Sequence, residues 1–156
     1  MADFIVESRM WLPKPRAEVF AFFADPVNVP FVMPPSLRVR LGPLPPAMAA
    51  GAVFDLRLVW LGIPLRWRAF VREYDPPARF LDVQVRGPYA RWEHRHLFLV
   101  DGEGTRVEER VVYRLPFGPL GRLAHTVLVG RQLATLWAYR RQRIGHVLGP
   151  VLDAAP

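Results

Sequence analysis

Between residues 53 and 115 the chain alternates apolar and polar residues through five successive segments, and only short turns separate them. The segments are "VFDLRLVWL" (53–61), "IPLRWRAFVREY" (63–74), "RFLDVQVR" (79–86), "RWEHRHLFLV" (91–100) and "TRVEERVVYRL" (105–115). Leu61-Gly62, Asp75-Pro76-Pro77, Gly87-Pro88 and Asp101-Gly102-Glu103-Gly104 connect them. Connections this short can only join antiparallel neighbours, so the block reads as a meander with one apolar face. After "PFGPLG" the period changes once. Residues 120–148 place Leu120, Leu123, Val127, Leu133, Leu136, Trp137, Ile144 and Val147 on one helical stripe. Arg122, Arg131, Arg141 and Arg143 fall mostly off it, so this is one long amphipathic helix, with Gly130 as a point where it can bend.

The start of the chain completes the pattern. Residues 3–12 set Phe4, Val6, Ser8 and Met10 opposite Glu7 and Arg9, a first strand. In "PKPRAEVFAFFADPVNVPFVM", Val19, Phe20, Phe22 and Phe23 have helical spacing until Asp25-Pro26 stops the run. A second short helix near 26–33 ends at Pro34-Pro35, and "LRVRL" (37–41) reads as another strand before a proline-rich loop at 42–51. The order β-α-α-β-β-β-β-β-β-α is α+β. It predicts a helix-grip fold: a curved antiparallel sheet of about seven strands, two short helices after the first strand, and a long C-terminal helix covering a cavity. One domain over 1–148 and a fraying tail at 149–156 suit a chain of 156 residues.

Several function classes drop out. No run approaches the roughly 18 apolar residues needed to cross a bilayer. "MADFIVESRMWL" carries three charges and alternates from its start, unlike a signal peptide. There is no cysteine, hence no disulfide, thiolate or Cys-ligated zinc. A cytoplasmic protein is expected. The net charge is +7 and Lys14 is the only lysine. The arginines form no block; Arg66, Arg68, Arg91 and Arg95 recur at alternate positions, as on a solvated sheet face. No nucleic-acid partner is expected.

Three stretches carry a resemblance: "PRAEVFAFFADPVN", "RFLDVQVRGPYARWEHRHLF" and "VVYRLPFGPLGRL", in that order. With them the chain resembles the START/SRPBCC superfamily over roughly residues 4–148, and within it an uncharacterised bacterial ligand-binding subfamily. The resemblance implies the helix-grip fold and a pocket for a hydrophobic ligand. It implies no single reaction, because binding proteins and polyketide cyclases share the scaffold.

The hairpins set which residues face that pocket. A loop at 101–104 pairs Val100 with Thr105, Phe98 with Val107, His96 with Glu109, His94 with Val111 and Trp92 with Tyr113, a self-consistent apolar face interrupted by polar groups. At 87–89, a three-residue loop puts Gln84 opposite Trp92, Asp82 opposite His94 and Phe80 opposite His96. A two-residue loop would turn Leu81, Val83 and Val85 inward instead. Apolarity favours the second, the family pattern the first, and a bulge could reconcile them.

With the first register, Asp82 with His94 and His96 with Glu109 form two opposed polar pairs among Trp67, Trp92, Tyr113, Phe54, Leu58 and Trp60. That is the anatomy of a small-molecule pocket. The candidate ligand-binding residues are therefore Trp67, Asp82, Gln84, Trp92, His94, His96, Glu109 and Tyr113. The histidines and acids could instead hold the sheet in register. His-x-His with Asp82 or Glu109 is also a metal-ligand set, and an imidazole–carboxylate pair can act in acid–base chemistry. No catalytic residue, metal ligand or cofactor is assigned. Phe31, Val32, Met33 and Met48 either pack the sheet rim or line a portal. The resulting expectation is a protein that carries or senses a hydrophobic small molecule or lipid. The alternative is a cyclase- or aromatase-like enzyme with a cavity histidine as acid or base. A third is a module working through its arginine-lined outer sheet. Oligomeric state is left open.

Overall fold

The computed structural model describes residues 3–154. Seven strands form one sheet in the order β1-β7-β6-β5-β4-β3-β2. They are β1 (Phe4–Leu12), β2 (Arg40–Leu41), β3 (Val53–Trp60), β4 (Ile63–Asp75), β5 (Arg79–Arg86), β6 (Arg91–Asp101) and β7 (Gly104–Arg114). All neighbours are antiparallel. The meander β2 to β7 runs in sequence order, and β1 returns to pair with β7 across nine residue pairs. Two register shifts between β4 and β5 break the ladder, where bulges add bend and twist to the curved sheet.

Two short helices, α1 (Arg16–Ala24) and α2 (Val29–Val32), link β1 to β2. Asp25 ends α1, and its side chain accepts from Val27 N at 3.0 Å to start the next turn. The expected strand at 37–41 shrinks to Arg40–Leu41. Pro35–Leu37 coil into a 3-10 turn and Arg38 adopts a left-handed φ of 46°, which no strand accommodates.

The C-terminal helix runs as α3 (Gly118–Ala124), a π-helical turn (His125–Val129) and α4 (Gly130–Leu148). Its buried stripe is Leu133, Arg140, Ile144 and Leu148, with Trp137 half-buried among them. The expected stripe fails at both ends: Leu120, Leu123, Val127 and Val147 are exposed. The π turn takes one residue more than an α turn, about 100° of rotation, so residues before it lose phase with the face that α4 buries.

Beyond α4 the described residues turn back onto β1. Gly149 turns the chain at φ 96°, and Leu152 bridges Trp11 through two backbone hydrogen bonds of 2.8 and 3.0 Å. Val151 packs on the core and Asp153 meets Arg141. Residues 155 and 156 lie outside the described residues.

The concave face carries the core. Met10, Leu12, Phe20, Phe98, Val107 and Ile144 join β1, β6 and β7 to α1 and α4. Fully burying each such side chain is worth roughly 1.5–3 kcal/mol. A second group around Val111, Tyr113 and Leu133 fills the space nearer the π turn. Between the two lies a buried polar row.

Candidate functional site

The register delivers the polar row directly. On β6 and β7, Trp92 pairs with Tyr113, His94 with Val111, His96 with Glu109 and Phe98 with Val107. On β5, Phe80 pairs with His96 and Asp82 with His94, the three-residue-loop alternative. Leu81 and Val83 are nevertheless buried, on the opposite face. Strand period alone thus brings two imidazoles and two carboxylates to the concave side.

Side-chain contacts run diagonally to these backbone pairs. His96 Nε2 donates to Asp82 Oδ2 at 3.2 Å, and its Nδ1 lies 3.2 Å from Glu109 Oε1. His94 Nε2 lies 3.3 Å from the same Glu109 oxygen. Those last two approaches are off the line a ring nitrogen bonds along, so His94 Nε2 and His96 Nδ1 are buried without a hydrogen-bond partner. Glu109 is instead held by Arg140 of α4, whose Nη2 donates to Oε1 at 2.6 Å. Apolar and aromatic walls enclose the row: His96 stacks on Phe80 at 3.9 Å, Arg140 sits over the Phe23 ring, and His94 faces Trp137 at 5.7 Å. The Trp137 Nε1 is also buried and unpartnered.

Burial and charge separate the two histidines. Burial, reinforced by the neighbouring His96, pushes His94 below the usual imidazole range, so its neutral form is favoured. Burial opposes charging His96 as well, but Asp82 and Glu109 outweigh it and raise its pKa. Glu109 lies well below the usual carboxylate range despite burial, because Arg140 and both imidazoles favour its anion. Asp82 is lowered against its own burial by the His96 hydrogen bond. With Asp82 and Glu109 ionised, Arg140 and a protonated His96 balance their charge, and His94 is the uncharged member.

Beside the row lies an aromatic group. Tyr89 touches Trp67, Trp92 and Tyr113 at ring-centroid distances of 5.8, 4.7 and 5.7 Å, and Trp67 meets Trp92 edge-on at 5.2 Å. Gln84 does not pair with Trp92. It folds over the β5–β6 loop, donating to Tyr89 O at 2.8 Å and accepting from Tyr89 N at 3.2 Å, which fixes Tyr89 in the group. Gly87 leaves room for that amide; a Cβ there would collide with Gln84. On the β1 side the Tyr113 hydroxyl bonds His125 Nε2 at 2.7 Å, and His125 stacks on Phe4 at 3.6 Å. Trp60 Nε1 donates to Gln132 Oε1, tying the β3 end to the helix.

No family model and no curated protein matches the chain. Solved structures do. The di-domain ARO/CYC StfQ from the steffimycin biosynthetic pathway aligns with a TM-score of 0.73 at 13% identity, over 94% of this chain and 50% of that one. A Chromobacterium violaceum protein gives 0.72 at 12%, over 94% and 97%. Major latex-like protein 151 from Panax ginseng gives 0.68 at 12%, over 95% and 99%.

The chain has the helix-grip fold.

Within this helix-grip frame the sequence reading missed Arg140, Tyr89 and His125. Arg140 had a visible signal: it stands between Leu133, Trp137 and Ile144 at helical spacing, an arginine inside an apolar stripe. Tyr89 had none, since loop geometry alone carries it inward. The rim residues pack: Val32 is buried in the core, and Arg143 lies over the Phe31 ring at 3.8 Å while donating to the Phe31 carbonyl.

Proposed function

We propose that this protein binds a flat hydrophobic small molecule bearing an acceptor oxygen, held between the sheet and the C-terminal helix. The observation that carries this reading is Trp137: an indole N–H can only donate, and this one is buried with no acceptor. Leaving such a donor unmet costs about 1–3 kcal/mol, which a ligand carbonyl or hydroxyl would recover. Trp67, Trp92 and Tyr113 would supply the aromatic wall, with Tyr89 placed among them by Gln84. His94, Asp82, His96 and Glu109 would form the polar end. Because His94 is uncharged and the rest of the row self-compensated, a neutral oxygen suits it better than a carboxylate. The structural neighbours support the reading at the level of fold; one is an ARO/CYC and one a major latex-like protein.

Native mass spectrometry of the purified protein, followed by organic extraction, tests this. A stoichiometric apolar adduct that is lost in Trp92→Ala and weakened in Trp137→Phe is the expected result. A bare mass, together with no quenching of tryptophan emission by a panel of flat aromatic ketones, would overturn it. A cyclising enzyme is the second reading, favoured by the neutral, buried imidazole of His94. It requires His94→Gln to abolish turnover while ligand retention survives.

A further inference from the structure

We propose that Asp82, His94 and His96 form a binding site for a divalent first-row transition-metal ion. One donor atom from each of the three lies within 4.8 Å of the other two. The His96 Nε2 to Asp82 Oδ2 separation is 3.2 Å. Metal–ligand bonds of about 2.0–2.2 Å at tetrahedral angles need donors about 3.3–3.6 Å apart, slightly wider than this pair. The remaining separations are no more than 4.8 Å, so occupancy requires the His94 ring to move inward. His94 is buried and its Nε2 has no hydrogen-bond partner, so its recruitment breaks nothing.

The surroundings fit an ion as well. With His96 ligating through Nε2, its Nδ1 lies 3.2 Å from Glu109 Oε1, off the line of a hydrogen bond. A ring rotation that aligned the two would place a carboxylate behind the ligating imidazole, which orients the ring and strengthens it as a donor. Arg140 would repel a cation, but its charge is matched by Glu109 at 2.6 Å, leaving Asp82 as the anionic ligand. Two imidazoles and one carboxylate select Zn²⁺, Co²⁺, Ni²⁺ or Cu²⁺ over Mg²⁺ or Ca²⁺. The ion takes the place of the His96 Nε2 proton that bonds Asp82. This site shares Asp82, His94 and His96 with the polar end of the ligand reading above, but Trp137 and the aromatic group take no part in it.

The test is titration of the EDTA-treated full-length protein with Co²⁺ by visible absorption and with Zn²⁺ by calorimetry. One tightly bound ion per chain is expected. Asp82→Asn and His94→Gln, each checked for native circular dichroism, should each weaken binding by more than the roughly 10–100-fold typical of losing an outer partner. Trp137→Phe should leave it unchanged, so failure here and failure of the ligand reading are separable. Should Asp82→Asn not fold, His94→Gln alone decides. Absence of stoichiometric binding, or binding that survives these substitutions, as at an exposed histidine such as His146, would overturn the proposal.

Discussion

Arg140 reaches from the middle of the C-terminal helix to Glu109 on β7, and its Nη2 sits 2.6 Å from the one carboxylate oxygen that both histidines also approach. This contact joins helix to sheet and favours the Glu109 anion. Arg140→Ala leaves a buried carboxylate with no guanidinium and should cost about 3–5 kcal/mol in urea unfolding. Glu109→Leu combined with Arg140→Met should recover most of that, since no charge is then stranded. If the single variant costs no more than a surface substitution, the pair does not hold the helix.

The two imidazoles should titrate on opposite sides of the ordinary 6.5, His94 below and His96 above. For His96, whose folded pKa is raised, the stabilisation is complete below about 6.5 and fades as pH rises through the folded value. His94 works the other way: its depressed pKa costs stability as pH falls below 6.5. Glu109 and Asp82 contribute above their ordinary 4.5 and 3.8 and lose that contribution as pH falls through their folded values. Proton NMR titration of the ring resonances checks the order; a reversed order would contradict the charge assignment.

Gly87→Ala should displace the Gln84 amide and release both of its bonds to Tyr89. At about 0.5–1.5 kcal/mol per hydrogen bond, the cost is about 1–3 kcal/mol. Tryptophan emission should shift too, because Tyr89 contacts both Trp67 and Trp92. Gln84→Ala should reproduce the emission change without any steric conflict.

The shifted helical stripe is tested by contrast. Leu120→Gln and Leu123→Gln remove exposed side chains and should change stability by no more than about 0.5 kcal/mol each. Leu133→Ala, on the buried stripe, should cost about 2–5 kcal/mol. Equal costs on the two sides of the π turn would mean the phase change is absent.

Much of this molecule was legible from spacing. Period-2 alternation located the long strands, and the turn at 101–104 was enough to place His96 opposite Glu109 and Trp92 opposite Tyr113. The loop at 87–89 was not enough, because Leu81 and Val83 are as apolar as the residues facing inward, and burial of both faces of β5 erases the signal. The apolar pattern of 120–148 announced a helix but not its phase, since nothing in the residues 125–129 marks a π turn.

Local chemistry therefore determined the elements, their order and the face on which His94 and His96 stand, because alternation, proline stops and short turns act within a few residues. Three-dimensional packing decided which charges meet. Asp82 and Glu109 converge on His96, Arg140 arrives from a helix 31 residues further along, and Gln84 turns back to hold Tyr89. Those contacts depend on sheet curvature and helix phase, which arise only when the whole sheet closes against the helix.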